Sequence, residues 1–256
     1  GPLMFLVFIN DLPLNLVHCM TDLYADDTTV YVHGNNLAVI EELLNDDAAN
    51  IFRWCTENGL TINVNKTKCM LIATPQKLRT LKSPMKIYIN NCLVPVSSCE
   101  KLLGVQIQSN LDWSSHVEKV CNSMKSNLYL LKRIRQYLPL NARKMFCNSY
   151  ILSQLDYLCT VWGNTSQDNL TKLQRLQKRA ARLVCDDFDS SSLELFDKLN
   201  WLPFESRIVL GKQVLMYKTL NNMCPEYLKD LVQYQTNSVY NMRSSAQRKL
   251  LVPKVN

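Results

Sequence analysis

Leu23-Tyr24-Ala25-Asp26-Asp27-Thr28-Thr29-Val30-Tyr31-Val32 is the stretch on which the reading of this chain turns. Two adjacent carboxylates stand between short runs suited to strands: Cys19, Met20, Leu23 and Tyr24 before them, Val30, Tyr31 and Val32 after. Asp is depleted inside strands and tolerated in tight turns, so the stretch reads as a β-hairpin with Asp26 and Asp27 at or near its tip. Side-by-side carboxylates repel, and folding alone gives little reason to place them there. A divalent cation removes the repulsion, and hard oxygen ligands are what magnesium takes. The plainer alternative is a solvated turn that happens to hold two Asp.

Upstream, Leu3 to Ile9 is apolar throughout, so periodicity does not separate a buried helix from a buried strand. Asn10-Asp11-Leu12-Pro13 ends it. Downstream, Leu37, Ile40, Leu44, Ala48, Ile51 and Cys55 make the stripe of an amphipathic helix stopped at Asn58-Gly59. Leu60 to Ile72 reads as strand, polar loop, strand. Met85–Ile89 and Cys92–Val94 read as a hairpin turned at Asn90-Asn91, and Lys101 to Ile107 as a third short strand containing Leu103-Gly104.

From Trp113 the pattern becomes helical. Ser115 and Glu118 fit a capping box, followed by the stripe Val117, Cys121, Met124, Leu128, Leu131 and Leu138, stopped by Pro139. A second helix is predicted from Asn141 to about Trp162 and a third from about Asp168 to Cys185. On that third helix Leu173, Leu176, Ala180 and Leu183 share one face, and Lys172, Arg175, Arg179 and Arg182 a neighbouring one. Such a basic stripe is either a soluble face or a track for phosphates. Ser191 and Glu194 pair as the cap of another short helix, Arg207 to Leu220 reads as one more, and the tail from Tyr234 is weakly patterned.

The chain has 256 residues, 47% hydrophobic and 20% charged, a globular balance sufficient for one large domain or two modest ones. Its ten Cys include no C-x-x-C pair and its three His are scattered, which favours reduced intracellular thiols over a disulfide framework or a zinc site. No apolar run approaches the ~20 residues of a membrane span, so no membrane partner is expected. The net charge of +7 is uneven: residues 1–60 hold one basic residue and nine acidic ones (−8), and residues 61–256 carry +15. An acidic front and a basic remainder suit a cation site beside a polyanion track, although solvated surface charge accounts for them equally. The opening Gly1-Pro2-Leu3, without Met and directly in an apolar run, reads as a fragment of something longer.

The ordered set of motifs resembles the reverse transcriptases of non-LTR (LINE-type) retrotransposons. Tyr24-Ala25-Asp26-Asp27 is similar to their catalytic hairpin, and Gly1 to Pro13 to the palm segment before it, which implies that Leu3–Ile9 is a helix. Gly59-Leu60-Thr61-Ile62-Asn63-Val64-Asn65-Lys66-Thr67-Lys68 resembles the next palm motif. Leu102-Leu103-Gly104-Val105, Leu111-Asp112-Trp113 and His116 resemble the primer grip and thumb entry. Leu155-Asp156-Tyr157, Val161-Trp162-Gly163, the run Leu173 to Arg182, Trp201-Leu202-Pro203 and Met242-Arg243-Ser244-Ser245 resemble the carboxy-terminal region.

The resemblance implies an α+β fold: a partial polymerase palm, with a small antiparallel sheet and helices, over residues 1–110, then an all-helical thumb and carboxy-terminal region over 111–256. It implies an RNA-directed DNA polymerase that adds deoxynucleotides from their triphosphates to a primer 3′-hydroxyl, with an RNA template, a DNA primer and two Mg2+ ions. Asp26 and Asp27 are then metal ligands and catalytic carboxylates, Lys66 the palm lysine near the leaving pyrophosphate, and Tyr24 a neighbour of the primer end. Leu103 and Gly104 shape the primer-holding turn, and Lys172, Arg175, Arg179 and Arg182 follow the nucleic-acid backbone. The family also needs an earlier Asp strand and fingers that this sequence lacks, so the fragment is expected to be inactive alone, with Leu3–Ile9 poorly covered. A non-catalytic nucleic-acid-binding module and a decayed element product are the alternatives, and the expected location is inside the cell, nuclear or cytoplasmic.

Overall fold

The computed structural model describes residues 1–81, 84–232 and 250. Two units are distinguished, Gly1–His116 and Val117–Asn256. The fold is α+β: small antiparallel sheets with helices, then helices alone.

In the first unit the apolar opening run is helix α1, Pro2–Ile9, with Pro2 in the first turn where a missing N–H costs nothing. The helix expected from resemblance is therefore present. Ile9 joins Leu12, Trp54 and Cys55 in one core cluster, with Phe5, Leu23, Ile51, Leu60 and Ile62 packed around it. The other side of α1 is open, with Leu3 73% and Val7 67% exposed. Strands β1, Met20–Tyr24, and β2, Asp27–Tyr31, form the predicted hairpin as a separate two-stranded sheet.

Helix α2, Leu37–Glu57, is the predicted amphipathic helix. Its stripe serves two cores. Ile51 and Cys55 face the cluster around Trp54, while Leu37, Ile40, Leu44 and Ala48 pack on Met85, Ile87, Ile89 and Val94. Asn58-Gly59 ends it as expected: Gly59 sits at φ +70, its N–H reaches Thr56 O at 3.2 Å and Leu60 N–H reaches Cys55 O at 2.8 Å. That is the Schellman closure, for which a left-handed glycine is the usual solution.

Two expectations in this unit are corrected, and one short helix is added. Leu60 to Ile72 does not form two strands. Asn63 gathers Lys66 N–H, Thr67 N–H and the Thr67 hydroxyl on its carbonyl, and only Cys69 makes a bridge, parallel to Val96. With its backbone groups satisfied locally, the segment has no ladder to join. A short helix α3, Pro75–Thr80, capped by Thr74 Oγ1, follows without having been anticipated. Strands β3, Tyr88–Ile89, and β4, Cys92–Leu93, do pair around Asn90 (φ 48) and Asn91 (φ 60), the double left-handed turn that hairpins favour. The single strand expected over Lys101 to Ile107 is instead a hairpin, β5 Cys99–Leu102 and β6 Val105–Gln108. Leu103 (φ 44) and Gly104 (φ 88) reverse the chain between them.

Helix α4, Ser114–Ile134, begins one residue before the expected capping pair. Asp112 Oδ1 accepts from Ser114 N–H at 3.1 Å and from the Ser114 hydroxyl at 2.8 Å, which fixes the entry ahead of Ser115. Val117, Cys121, Met124, Leu128 and Leu131 are buried as the stripe requires. Leu138 lies beyond the helix, in extended backbone after a 3₁₀ turn over Arg135–Tyr137.

The helix expected from Asn141 to Trp162 is broken into α5, Leu140–Cys147, a π-helical turn over Asn148–Leu152, α6, Ser153–Asp156, and α7, Cys159–Trp162. Leu158 at φ 50 causes the last break. Gly163 closes α7 where space permits no side chain: an added Cβ would fall 2.3 Å from Cys159 O and 2.9 Å from Ile208 Cγ1.

Helix α8, Gln167–Cys185, matches the expected span, with Leu173, Ala180 and Leu183 almost wholly buried. Helix α9, Ser192–Leu199, starts at Ser191, whose hydroxyl accepts from Glu194 N–H at 3.3 Å. Helices α10, Phe204–Leu220, and α11, Glu226–Asp230, complete the described fold. Trp162 stacks on Phe204 with ring centroids 5.5 Å apart. Met242-Arg243-Ser244-Ser245 and the tail from Tyr234 lie outside the described residues, Leu250 excepted.

Candidate active site and nucleic-acid face

Pairing of Tyr24 with Asp27 leaves Ala25 and Asp26 as a two-residue loop. Ala25 carries the left-handed conformation, φ 54, that tight hairpins demand and that glycine or asparagine usually supplies. An alanine there costs about 1 kcal/mol and persists only because the strands impose it. Asp26 and Asp27 are both exposed, and Tyr24 is 67% exposed. The hairpin thus presents two carboxylates and a phenol ring at one tip. Among the described residues no group of three or more His, Cys, Asp and Glu side chains is gathered as a metal would need. The donor set at the tip suits a hard divalent cation in kind, and two carboxylates hold it incompletely.

The base of the hairpin is held by a residue that the sequence reading did not single out. Asp47, on α2, is completely buried. Its Oδ1 accepts from Val17 N–H at 2.9 Å, and its Oδ2 accepts from His18 N–H at 2.8 Å and Cys19 N–H at 2.7 Å. Asn50 Nδ2 adds a fourth bond at 3.2 Å. Burial raises the Asp47 carboxyl, and the three backbone donors outweigh it, so its pKa ends below the ordinary value. Burial, then the neighbouring Asp47 carboxylate, pushes the Cys19 thiol up to about 12.

Two further side chains of α2 hold the next hairpin in the same manner. Glu41 Oε2 accepts from Lys86 N–H at 3.0 Å. Asn45 donates to Lys86 O at 3.0 Å and accepts from Tyr88 N–H at 2.8 Å. The signal for Asp47 was present in the sequence, since it occupies a stripe position three residues after Leu44 and four before Ile51.

Lys66 is exposed in the turn that Asn63 organises, its N–H shared between Asn63 O and Oδ1. Lys68, rather than Lys66, borders the adjacent groove of about 750 Å³ together with Asn63, Asn65 and Leu93. Leu103 and Gly104 form the turn of a different two-stranded sheet. Leu23, Leu60 and Ile62 pack on one cluster, so the base of the carboxylate hairpin and the start of the Lys66 segment share a core.

In the second unit Lys172, Arg175, Arg179 and Arg182 are exposed along one side of α8, and Lys178 is exposed beside them. Among the described residues the ion pairs are Arg135–Asp186 and Arg207–Asp156, so no carboxylate is paired with this basic face. Behind it Gln177 is fully buried, donating to Leu202 O at 2.8 Å and accepting from Phe204 N–H at 2.9 Å. Gln177 too escaped the sequence reading, although it stands on the apolar stripe between Leu173 and Ala180.

A carboxylate-tipped hairpin beside helices, followed by further small hairpins, stands where the ordered motifs resemble a polymerase palm. Residues 1–109 match the family described as reverse transcriptase (RNA-dependent DNA polymerase). A probable RNA-directed DNA polymerase from transposon X-element of Drosophila melanogaster is 24% identical over 78% of this chain and 23% of its own length. A retrovirus-related Pol polyprotein from type-1 retrotransposable element R1 2 of Nasonia vitripennis is 20% identical over 85% of this chain and 55% of its own length. A probable RNA-directed DNA polymerase from transposon BS of Drosophila melanogaster is 24% identical over 73% of this chain and 21% of its own length. These matches accord with the resemblance to the reverse transcriptases of LINE-type retrotransposons that the ordered motifs carry. The chain spans between about a fifth and just over half of the length of these relatives. No solved structure matches it. Among the described residues no helix is long and apolar enough to cross a membrane.

Proposed function

We propose that this chain is part of an RNA-directed DNA polymerase in which Asp26 and Asp27 are ligands of a two-metal site for nucleotidyl transfer to a primer 3′-hydroxyl. The observation that carries the reading is the exposed carboxylate pair on a strained two-residue tip, inside a segment that matches reverse transcriptases. Strain and adjacent like charge both oppose folding, and a bound cation offsets the second. Asp26 and Asp27 would hold magnesium, which when bound would supply positive charge beside the primer hydroxyl and the triphosphate. Asp26 and Asp27 bind and orient, Tyr24 presents a ring for the primer end, and Lys66 is the candidate cation near the pyrophosphate. The turn Leu103-Gly104 holds the primer. RNA template, DNA primer and deoxynucleoside triphosphates are the partners, and ten free thiols accord with a location inside the cell, nuclear or cytoplasmic.

Two exposed carboxylates do not fix two ions at a working separation, so the chain alone is expected not to extend a primer. Primer extension with RNA template, Mg2+ and deoxynucleotides tests this: no incorporation is expected. Incorporation that disappears in Asp26→Ala would establish an active fragment.

A second reading, a nucleic-acid-binding module without catalysis, is favoured by the unpaired basic face of α8. Duplex binding followed across salt tests that face, and primer extension separates the two readings. Arg175→Ala with Arg179→Ala is expected to reduce the slope of log affinity against log salt by about 0.9 for each phosphate that is no longer neutralised, with Asp26→Ala neutral. An unchanged slope removes α8 from the interface.

A further inference from the structure

The carboxylate hairpin is a two-stranded sheet paired with no other strand among the described residues. Isolated two-stranded hairpins are marginal in water and do not fix their own direction. Its direction is therefore set at its base. There the structure shows an uncommon arrangement: three consecutive backbone N–H groups, of Val17, His18 and Cys19, converge on both oxygens of the buried Asp47 carboxylate. The next residue, Met20, begins β1. A buried charge is tolerated only where its lone pairs are filled, and four donors fill these. Both oxygens accept, which an amide in its place could not reproduce, since it offers a single accepting oxygen.

We infer that Asp47 is the positioning residue of the candidate active site, its carboxylate fixing the direction in which β1 presents Asp26 and Asp27. This rests on the reading of Asp26 and Asp27 as metal ligands. The lever is long: five strand residues at about 3.3 Å each place the tip some 16 Å from the clamp, so a tilt of about 10° at the base moves the carboxylates by about 3 Å. Displacements of about 1 Å already cost polymer-forming geometry heavily. Leu23, packed against the Trp54 cluster, is a second hold on the same strand and limits the tilt without selecting its direction.

The test compares the full chain with Asp47→Asn and Val17→Pro by NMR, using residual dipolar couplings and Mn2+-induced broadening. Val17→Pro removes one of the three donors. Val17 is 72% exposed and the preceding Leu16 is already extended, as a residue before proline must be. In the wild-type chain the amides of residues 20–31 and of α2 are expected to fit one alignment frame, with Mn2+ broadening Tyr24 to Thr28. In Asp47→Asn the hairpin couplings depart from the α2 frame and the amides of residues 17–19 exchange about tenfold faster, while Mn2+ still broadens the tip, whose two carboxylates move together. Val17→Pro gives the same changes to a smaller degree and decides the matter should Asp47→Asn fail to fold. Hairpin couplings that still fit the α2 frame in the folded variants overturn the inference. A wild-type chain without Mn2+ broadening at Tyr24–Thr28 overturns instead the metal reading, with the couplings still judging the clamp.

Discussion

Replacing Gln177 by leucine tests whether one buried amide ties α8, with its basic face, to the start of α10. The side chain is fully buried, and its oxygen accepts from Phe204 N–H at 2.9 Å while its nitrogen donates to Leu202 O at 2.8 Å. Leucine keeps most of the volume and removes both bonds. The two abandoned partners are not equivalent. Leu202 O retains a bond from Arg207 Nε at 3.1 Å, so its share is worth at most about 1 kcal/mol. Phe204 N–H, buried at the first turn of α10, is deprived of the one hydrogen bond described for it, and an orphaned buried donor costs about 1–3 kcal/mol. The expected destabilisation is about 2–3 kcal/mol, and Gln177→Ala is worse because it also leaves a cavity. Urea unfolding followed by tryptophan fluorescence reads this directly, since Trp162 and Trp201 lie in the same unit. Gln174→Leu, one turn away and not fully buried, is the control and should stay within about 0.5 kcal/mol. A Gln177→Leu protein as stable as the wild type would refute the clamp.

Asp47 gives a pH signature. Its folded pKa lies below the ordinary value of 3.8, so its stabilisation is fully present above that value and is lost as pH falls through the folded pKa; unfolding free energy measured between about pH 2 and 6 should flatten in Asp47→Asn. Gly59→Ala should cost about 1 kcal/mol through backbone alone, because φ is +70 and nothing lies within 4 Å of an added Cβ. Gly163→Ala should cost more by the same denaturation assay, because the new methyl meets Cys159 O and Ile208. Under iodoacetamide at neutral pH, exposed Cys92 should label first and Cys147 last, since burial pushes the Cys147 thiol up to about 12; mass spectrometry after timed quenching orders them.

The elements that were legible in the sequence are those specified by local chemistry. Asp26 and Asp27 between β-branched runs gave the hairpin, Asn90-Asn91 the tight turn, and Asn58-Gly59 the helix stop; the stripe of α8 gave its span to within a residue. The errors came where tertiary structure overrode local preference. Leu103 and Leu158 adopt left-handed backbone that leucine does not favour, so a hairpin read as one strand and a broken helix read as a long one. The segment after Gly59 has strand composition, and its backbone donors are taken by Asn63 before a ladder can form. Asp47 and Gln177 were passed over because each was one polar residue on an otherwise apolar stripe, where pattern matching counts only the majority.

Those interruptions are where the fold stores its long-range instructions. An apolar contact is tolerant of rotation and sliding, so a stripe of Leu and Ile fixes that two elements meet and leaves their exact register loose. A buried carboxylate or amide tolerates only the arrangement that fills its lone pairs and donors. Helix α2 shows both devices on one surface. Its Leu37, Ile40 and Leu44 bring it to the Met85–Val94 hairpin, and Glu41 and Asn45 then fix that hairpin's backbone at Lys86 and Tyr88. Ile51 and Cys55 bring it to the core under the carboxylate hairpin, and Asp47 fixes the chain at Val17 to Cys19. Small two-stranded sheets gain from this arrangement a definite aim that their own ladders do not supply. On the proposed reading of Asp26 and Asp27 as metal ligands, the direction in which they point is set from a helix that carries none of that chemistry.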